Sequence, residues 1–284
     1  MRLFTFAISF SLMVVIQAQA FAKNDSILGM QSIIDTQYLK LESKVLKRDF
    51  HLLVKLPASY QDCTNCQYPV VYLLDGGAVY PMLAGYYNYL RHEDVVPEVI
   101  LVGISYGSND FETGNFRSTD YTAPSSERSY WGGASQFQQA LIKDILPTIE
   151  EKYPVDPQKR IIFGQSLAGQ FVLYNALTQP ELFYGHISSN PALHRNLEFF
   201  LKPNNSIHKT KLFVAKGSLD DARFRLPSDK WVKHWSNANT APFTLETKML
   251  DGYGHFSVIT ESFRHGLDWL LVKNAKDLKD SDSP

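Results

Sequence analysis

Apolar residues fall into two kinds of run along this chain. In residues 30–41 and 47–56 they alternate with polar or partly exposed positions, as with Leu52, Val54 and Leu56 against His51, Leu53 and Lys55. A period of two marks a strand with one covered face, so both segments are expected as antiparallel strands. Four later runs, residues 70–74, 99–102, 161–163 and 212–215, are apolar without a break. Strands buried on both faces read this way, and they belong to parallel sheets covered by helices. Between them the pattern lengthens. Phe137, Leu141, Ile145 and Ile149 recur every four residues, which predicts a helix, with Pro147 expected to kink it. Residues 167–177 and 262–271 predict two more helices, and residues 243–250 another strand. The expected architecture is α/β, with a central mostly parallel sheet, helices on both faces and an antiparallel N-terminal edge. The polar stretch 111–129 is long for a loop, and loops of that length often carry function.

The N-terminus breaks the pattern. Arg2 is followed by an uncharged apolar run to Ile16, and Ala18, Ala20 and Ala22 offer small-x-small cleavage sites. Residues 1–22 are therefore expected to be a signal peptide, with an uncleaved anchor as the alternative. This places the domain at residues 23–272, followed by a polar tail, residues 273–284. The protein is expected to be exported, to the periplasm or beyond, with no stable membrane span after cleavage. Of 284 residues, 28 are Lys or Arg and 29 Asp or Glu, for a formal net charge of −1. No basic excess exists to neutralise phosphates, which argues against nucleic acid as a partner. The two cysteines, Cys63 and Cys66, sit in a polar loop ahead of a strand. A redox C-x-x-C opens a helix instead, so a structural disulfide is expected, and no second ligand pair suggests zinc.

The strongest chemical signal is Gly164-Gln-Ser-Leu-Ala-Gly169. It lies between a buried strand and a helix, with Ser166 in the turn. Small residues at 164, 168 and 169 allow strand and helix to approach closely. This is the form of the nucleophile elbow of α/β-hydrolases. Ala168 stands where Gly is usual. A serine needs a base, and in that fold the order is serine, acid, histidine. His255, in a glycine-containing loop after the strand 243–250, fits the base; His265 lies within an expected helix, and His186 and His194 precede any acid. Asp220 follows the strand 211–215 and fits the acid, with Asp221 and Asp251 as alternatives. The Leu167 N–H is one candidate oxyanion donor, and Gly76 or Gly77, after the strand 70–74, offers the second. Tyr80, Tyr86, Tyr87 and Tyr89 follow; they are candidates for lining an acyl or aryl pocket or simply for packing.

Together these segments resemble the esterase family that includes esterase D and the enterochelin (siderophore) esterases. The likeness rests on Tyr68-Pro-Val-Val-Tyr-Leu-Leu-Asp-Gly-Gly77, residues 99–104, Arg117-Ser-Thr-Asp-Tyr-Thr122, Ile145-Leu-Pro-Thr-Ile149, Gly164 to Gly169, Pro180-Glu-Leu-Phe183, Ser189-Asn-Pro-Ala192 and Gly254-His-Phe-Ser257. The resemblance implies hydrolysis of a small-molecule carboxylic ester through an acyl-serine, with no metal or organic cofactor. It carries the nucleophile to Ser166 and the base to His255; some siderophore-esterase relatives work with a Ser/His pair alone. Arg117 and Asp120 match the family's R-x-x-D-Y-T segment, either as a salt bridge bracing the loop or as substrate contacts. Ser189-Asn-Pro-Ala192 departs from the family's S-P-S-L-W near the expected pocket. An acyltransferase using the same acyl-serine, and a non-catalytic binding protein on this scaffold, are the competing readings.

Overall fold

The computed structural model describes residues 35–93, 95–110, 112–202 and 209–273. The expected signal peptide, residues 1–22, and the tail beyond Lys273 lie outside them. Eight strands form one sheet: β1 (Thr36–Ser43), β2 (Arg48–Lys55), β3 (Tyr68–Leu73), β4 (Ile100–Ser105), β5 (Val155–Gln165), β6 (Gly185–Ser189), β7 (Thr210–Gly217) and β8 (Phe243–Leu250). Their spatial order is β1-β2-β4-β3-β5-β6-β7-β8. β1 pairs antiparallel with β2, and β2 with β4; every other neighbour is parallel. The antiparallel edge is as expected. β1, however, begins at Thr36 and runs to Ser43, so that its register closes on Arg48 through a tight turn in which Lys47 takes a φ of 54°.

Side chains alternate between two cores, one on each face. Val70, Tyr72, Val102, Ile162 and Val214 pack with Phe137, Phe171 and Trp231 on one side. Val71, Leu73, Leu101, Phe163 and Ala215 pack with Leu83 and Phe263 on the other. Helices cover both: α1 (Gly76–His92) and α5 (Ile259–Leu267) over the second core, and α2 (residues 134–152), α3 (Leu167–Thr178) and α4 (Ala222–Ser236) over the first. This double covering is why the central strands are apolar on both faces. α2 consists of Ala134–Ala140, a π-helical turn Leu141–Ile145 and Leu146–Lys152. Pro147 has no N–H for the Lys143 carbonyl and would crowd it, so the helix widens just before the proline. The expected kink is thus a π turn.

β6 lacks an apolar run because its buried positions are polar and find distant partners. His186 bonds Asn175 of α3 at 2.8 Å and Thr210 of β7 at 3.1 Å. The Ser188 hydroxyl donates to the Gly169 carbonyl at 3.0 Å. Burial holds the His186 imidazole neutral, its pKa pushed down to about 3. The stretch 111–129 is anchored through a single helical turn, Arg117–Asp120. Arg117 and Asp120 do not pair with each other there. Asp120 is buried and accepts from Arg48 of β2 and from the Tyr106 hydroxyl at 2.8 Å, while Arg117 turns to Asp75. Cys63 and Cys66 form a disulfide, Cα atoms 5.5 Å apart, in the loop before β3. Among the described residues, no helix is long and apolar enough to cross a membrane.

Candidate active site

The site lies at the carboxyl ends of β5, β7 and β8, where open α/β sheets place their crevices. Ser166 occupies the turn from β5 to α3 with φ 59° and ψ −114°, a conformation rarely taken by a residue with a side chain. The surroundings enforce it. The Ser166 N–H donates to the Ser189 carbonyl at 3.0 Å, and its own carbonyl accepts from Gln170 N at 2.9 Å and Ala192 N at 3.0 Å. A Cβ at Gly164 would lie 2.4 Å from the Ala168 carbonyl oxygen. Gly164 therefore makes the close approach, and the methyl of Ala168 is buried without needing the space a glycine leaves.

His255 sits in the loop between β8 and α5. Its Nε2 is 3.0 Å from Ser166 Oγ, and its Nδ1 is 2.9 and 3.0 Å from the two oxygens of Asp220. Asp220 is buried, and the imidazole is 15% exposed. The ring stacks on Phe224 of α4, centroids 4.4 Å apart and planes tilted by 28°. Of the three carboxylates considered for the acid, Asp220 alone meets the histidine. Asp221 caps α4, accepting from Arg223 N at 2.7 Å, and Asp251 accepts from the Ser218 hydroxyl at 2.9 Å. His265 is held within α5 beside Glu261.

Beside Ser166 opens a cleft of about 390 Å³, walled by Gly77, Ser105, Asn115, Arg117, Phe256 and Ile259 among others, within the size range of small-molecule sites. Leu167 opens α3, so its N–H has no carbonyl within the helix to meet. Gly77 lines the cleft; Gly76 is buried against Gly103 and Ile104 of β4. Arg117 reaches the cleft while gripping Asp75 with two bonds, Nε to Oδ1 at 2.9 Å and Nη2 to Oδ2 at 2.8 Å. Burial works against its charge, but the Asp75 carboxylate more than offsets that and raises its pKa above the usual value. That grip holds Asp75 in a left-handed conformation, φ 54°, at the start of α1.

Two expectations for the pocket are corrected. Tyr80 does not line the cleft: it is buried on α1, its ring against Gly103 and its hydroxyl 2.9 Å from Thr36 Oγ1. Asp120 does not line it either: it is buried behind the wall residue Tyr106 and spent on that hydroxyl and on Arg48. Of the other tyrosines, Tyr86 bonds Glu261 at 2.9 Å, Tyr87 bonds Pro97 and Val99, and Tyr89 points to solvent. Burial lifts the Tyr80 and Tyr86 hydroxyls to about 12, so both remain protonated.

A family model described as "Putative esterase" matches residues 43–261. The chain belongs to this esterase family. The ferri-bacillibactin esterase BesA of Bacillus subtilis is 32% identical over 202 residues, 65% of each chain. The apo-salmochelin esterase of Escherichia coli is 31% identical over 144 residues, 47% of this chain and 44% of that one. The chain thus spans about two thirds of the length of the first relative and less than half of the second. A crystal structure of the BES protein from Bacillus cereus superposes with a TM-score of 0.70 at 24% identity, covering 84% of this chain and 95% of that one. The shared fold is that of the α/β-hydrolases.

Three residues of the site were given no role by the sequence. Gln165 donates from Nε2 to the His255 carbonyl at 2.5 Å. Asn190 donates to the same carbonyl at 3.2 Å. Phe224 supplies the stacking face. Gln165 lies within the elbow motif and Asn190 within the departure from the family pattern at Ser189-Asn-Pro-Ala192, while nothing pointed to Phe224.

Proposed function

We propose that this protein is an exported serine esterase that hydrolyses siderophore-type carboxylic esters through an acyl-serine. The observation that carries this reading is the unbroken chain of contacts from Asp220 through His255 to Ser166 Oγ. His255 Nε2 takes the Ser166 proton as Oγ attacks the ester carbonyl. Asp220, acceptor to Nδ1–H, fixes the tautomer that leaves Nε2 free and stabilises the imidazolium that forms. The tetrahedral oxyanion is held by the N–H groups of Leu167 and Gly77 at the starts of α3 and α1, where helix dipoles also favour negative charge. The imidazolium then protonates the leaving alcohol, and the acyl group stays on Oγ. Water, deprotonated by the same Nε2, attacks the acyl-serine, and the imidazolium returns that proton to Ser166 Oγ as the bond to the acyl carbon breaks and the acid leaves. Each proton moves through groups of this chain.

The siderophore-type substrate is supported by the relatives, which are named as esterases of bacillibactin and salmochelin, and by a cleft that combines Arg117 and Asn115 with the apolar Phe256 and Ile259. Export is supported by the pattern of residues 1–22 and by the Cys63–Cys66 disulfide, a bond that persists in oxidising compartments.

A fluorophosphonate probe tests the reading. The wild type is expected to gain one phosphonyl adduct on Ser166 and to cleave a catecholate siderophore ester, and Ser166→Ala to do neither. A wild type that fails to label, or a Ser166→Ala variant that labels equally, overturns it.

A further inference from the structure

We propose that Asn190 is a positioning residue for the ester-cleaving reaction, its single amide setting the histidine loop and the acid-bearing end of β7 in register. The inference rests on the esterase reading above and concerns how its geometry is maintained. Asn190 follows β6, is almost fully buried, and has a φ of 38°, in the left-handed region that residues with a side chain avoid. Its N–H and both ends of its side-chain amide are engaged. Its N–H donates to the Ala215 carbonyl at 2.9 Å. Oδ1 accepts from Gly217 N at 2.9 Å. Nδ2 donates to the carbonyls of Gly254 at 3.3 Å and His255 at 3.2 Å.

These partners are the two ends that must meet. Gly217 closes β7, three residues before Asp220. Gly254 and His255 carry the base. The two segments are already in contact: a Cβ at Gly217 would come within 2.3 Å of the Tyr253 carbonyl oxygen, and Leu219 N donates to that carbonyl at 2.9 Å. That contact fixes the loop at Tyr253, two residues before the imidazole, and leaves the His255 carbonyl to be held by side chains. The Asn190 amide has donor and acceptor on one rigid plane. It ties the acid side by its oxygen and the base side by its nitrogen. Gln165, next to Ser166, adds a donor to the same His255 carbonyl. The nucleophile, the base and the acid are therefore referenced to one another through a backbone carbonyl that takes no part in the chemistry. A misplacement of the imidazole on the order of 1 Å is enough to cost about 10²-fold in rate.

Two variants test this. Asn190→Gly removes the amide while relaxing the left-handed backbone, so the fold is kept. Asn190→Asp keeps the acceptor for Gly217 N but sets a second oxygen against two carbonyl oxygens. Both are expected to lower kcat by about 10²-fold with KM little changed. In both, the downfield proton resonance of His255 Nδ1–H is expected to shift or to broaden by exchange. Wild-type kcat in either variant overturns the proposal. So does a loss of kcat that merely follows a loss of folded protein while the resonance of the folded fraction is unmoved. If Asn190→Gly fails to fold, Asn190→Asp decides. The resonance needs no turnover, so absence of Ser166 labelling would sink the esterase reading and leave this measurement valid.

Discussion

The serine side of the site and the histidine–acid side are held in place by different physics. Ser166 is fixed by the backbone: a strand, a helix, the close approach at Gly164 and three main-chain hydrogen bonds leave its conformation no alternative. His255 and Asp220 stand on loops after β8 and β7. Side chains position them: the amides of Asn190 and Gln165, the ring of Phe224 and the carboxylate itself. Regular elements make a rigid pedestal cheaply, since their bonds are local. Loops can be aimed anywhere, but each must be tied down by contacts of long sequence separation. In the proposed mechanism the nucleophile is held in its strained geometry before substrate arrives, whereas the base serves Oγ, leaving group and water in turn. The division of labour matches those two demands.

The comparison can be broken in four places, in descending order of effect. His255→Ala removes the base and is expected to lower kcat by about 10⁶-fold, measured on an activated ester; a loss of less than about 10³-fold would move the base elsewhere. Asp220→Asn leaves the shape intact but favours the wrong tautomer, and about 10⁴-fold is expected. Asp221→Asn and Asp251→Asn serve as controls within about tenfold of wild type, because their carboxylates cap α4 and Ser218; an equal loss in a control would reassign the acid. Gly164→Ala tests the backbone side. The added methyl meets the Ala168 carbonyl, which belongs to a helix and cannot yield, so about 3 kcal/mol of stability should be lost in urea unfolding. Wild-type stability would show that the elbow is looser than its contacts imply.

The smallest effect concerns the seam. His186 of β6 bonds α3, which carries the elbow, and β7, which leads to the acid. Its folded pKa, about 3, lies below the ordinary 6.5. The unfolded chain therefore takes up a proton below about pH 6.5 that the folded chain refuses. The stabilising contribution is complete above that pH and is lost as pH falls towards 3. The expected slope is about 1 kcal/mol per pH unit between pH 6 and 4. His186→Gln should flatten the wild-type dependence by that amount; equal slopes would show that His186 charges within the fold.

What was legible in the sequence follows the same division. β3, β4, β5 and β7 announced themselves because covering on both faces demands unbroken apolar runs. Ser166 did so because an elbow tolerates only small neighbours, and His255 because chain order left few candidates. β6 was hidden: its buried His186 and Ser188 are satisfied by Asn175, Thr210 and Gly169, partners no local pattern reveals. Arg117 and Asp120, three apart, suggested a pair, yet a single helical turn sends them to Asp75 and Arg48. Tyr80 sat in the right segment but on the face of α1 that meets Gly103. Asn190 showed only as a mismatch to a family pattern, since its value lies in contacts made 27 and 65 residues away.

The cleft beside Ser166 has a consequence for how this chain could diversify. Gly77, Ser105, Asn115 and Arg117 of its wall lie between positions 75 and 117, whereas Gln165, Ser166, Asn190, Asp220 and His255 all follow position 164. The polar part of the receiving wall is thus written apart from the Ser166–His255–Asp220 set, while its apolar part, Phe256 and Ile259, is written beside His255. A recombination crossover between α2 and β5 would exchange that polar wall, and Gly77 with it, for that of another esterase and leave Ser166, Asp220 and His255 inherited together.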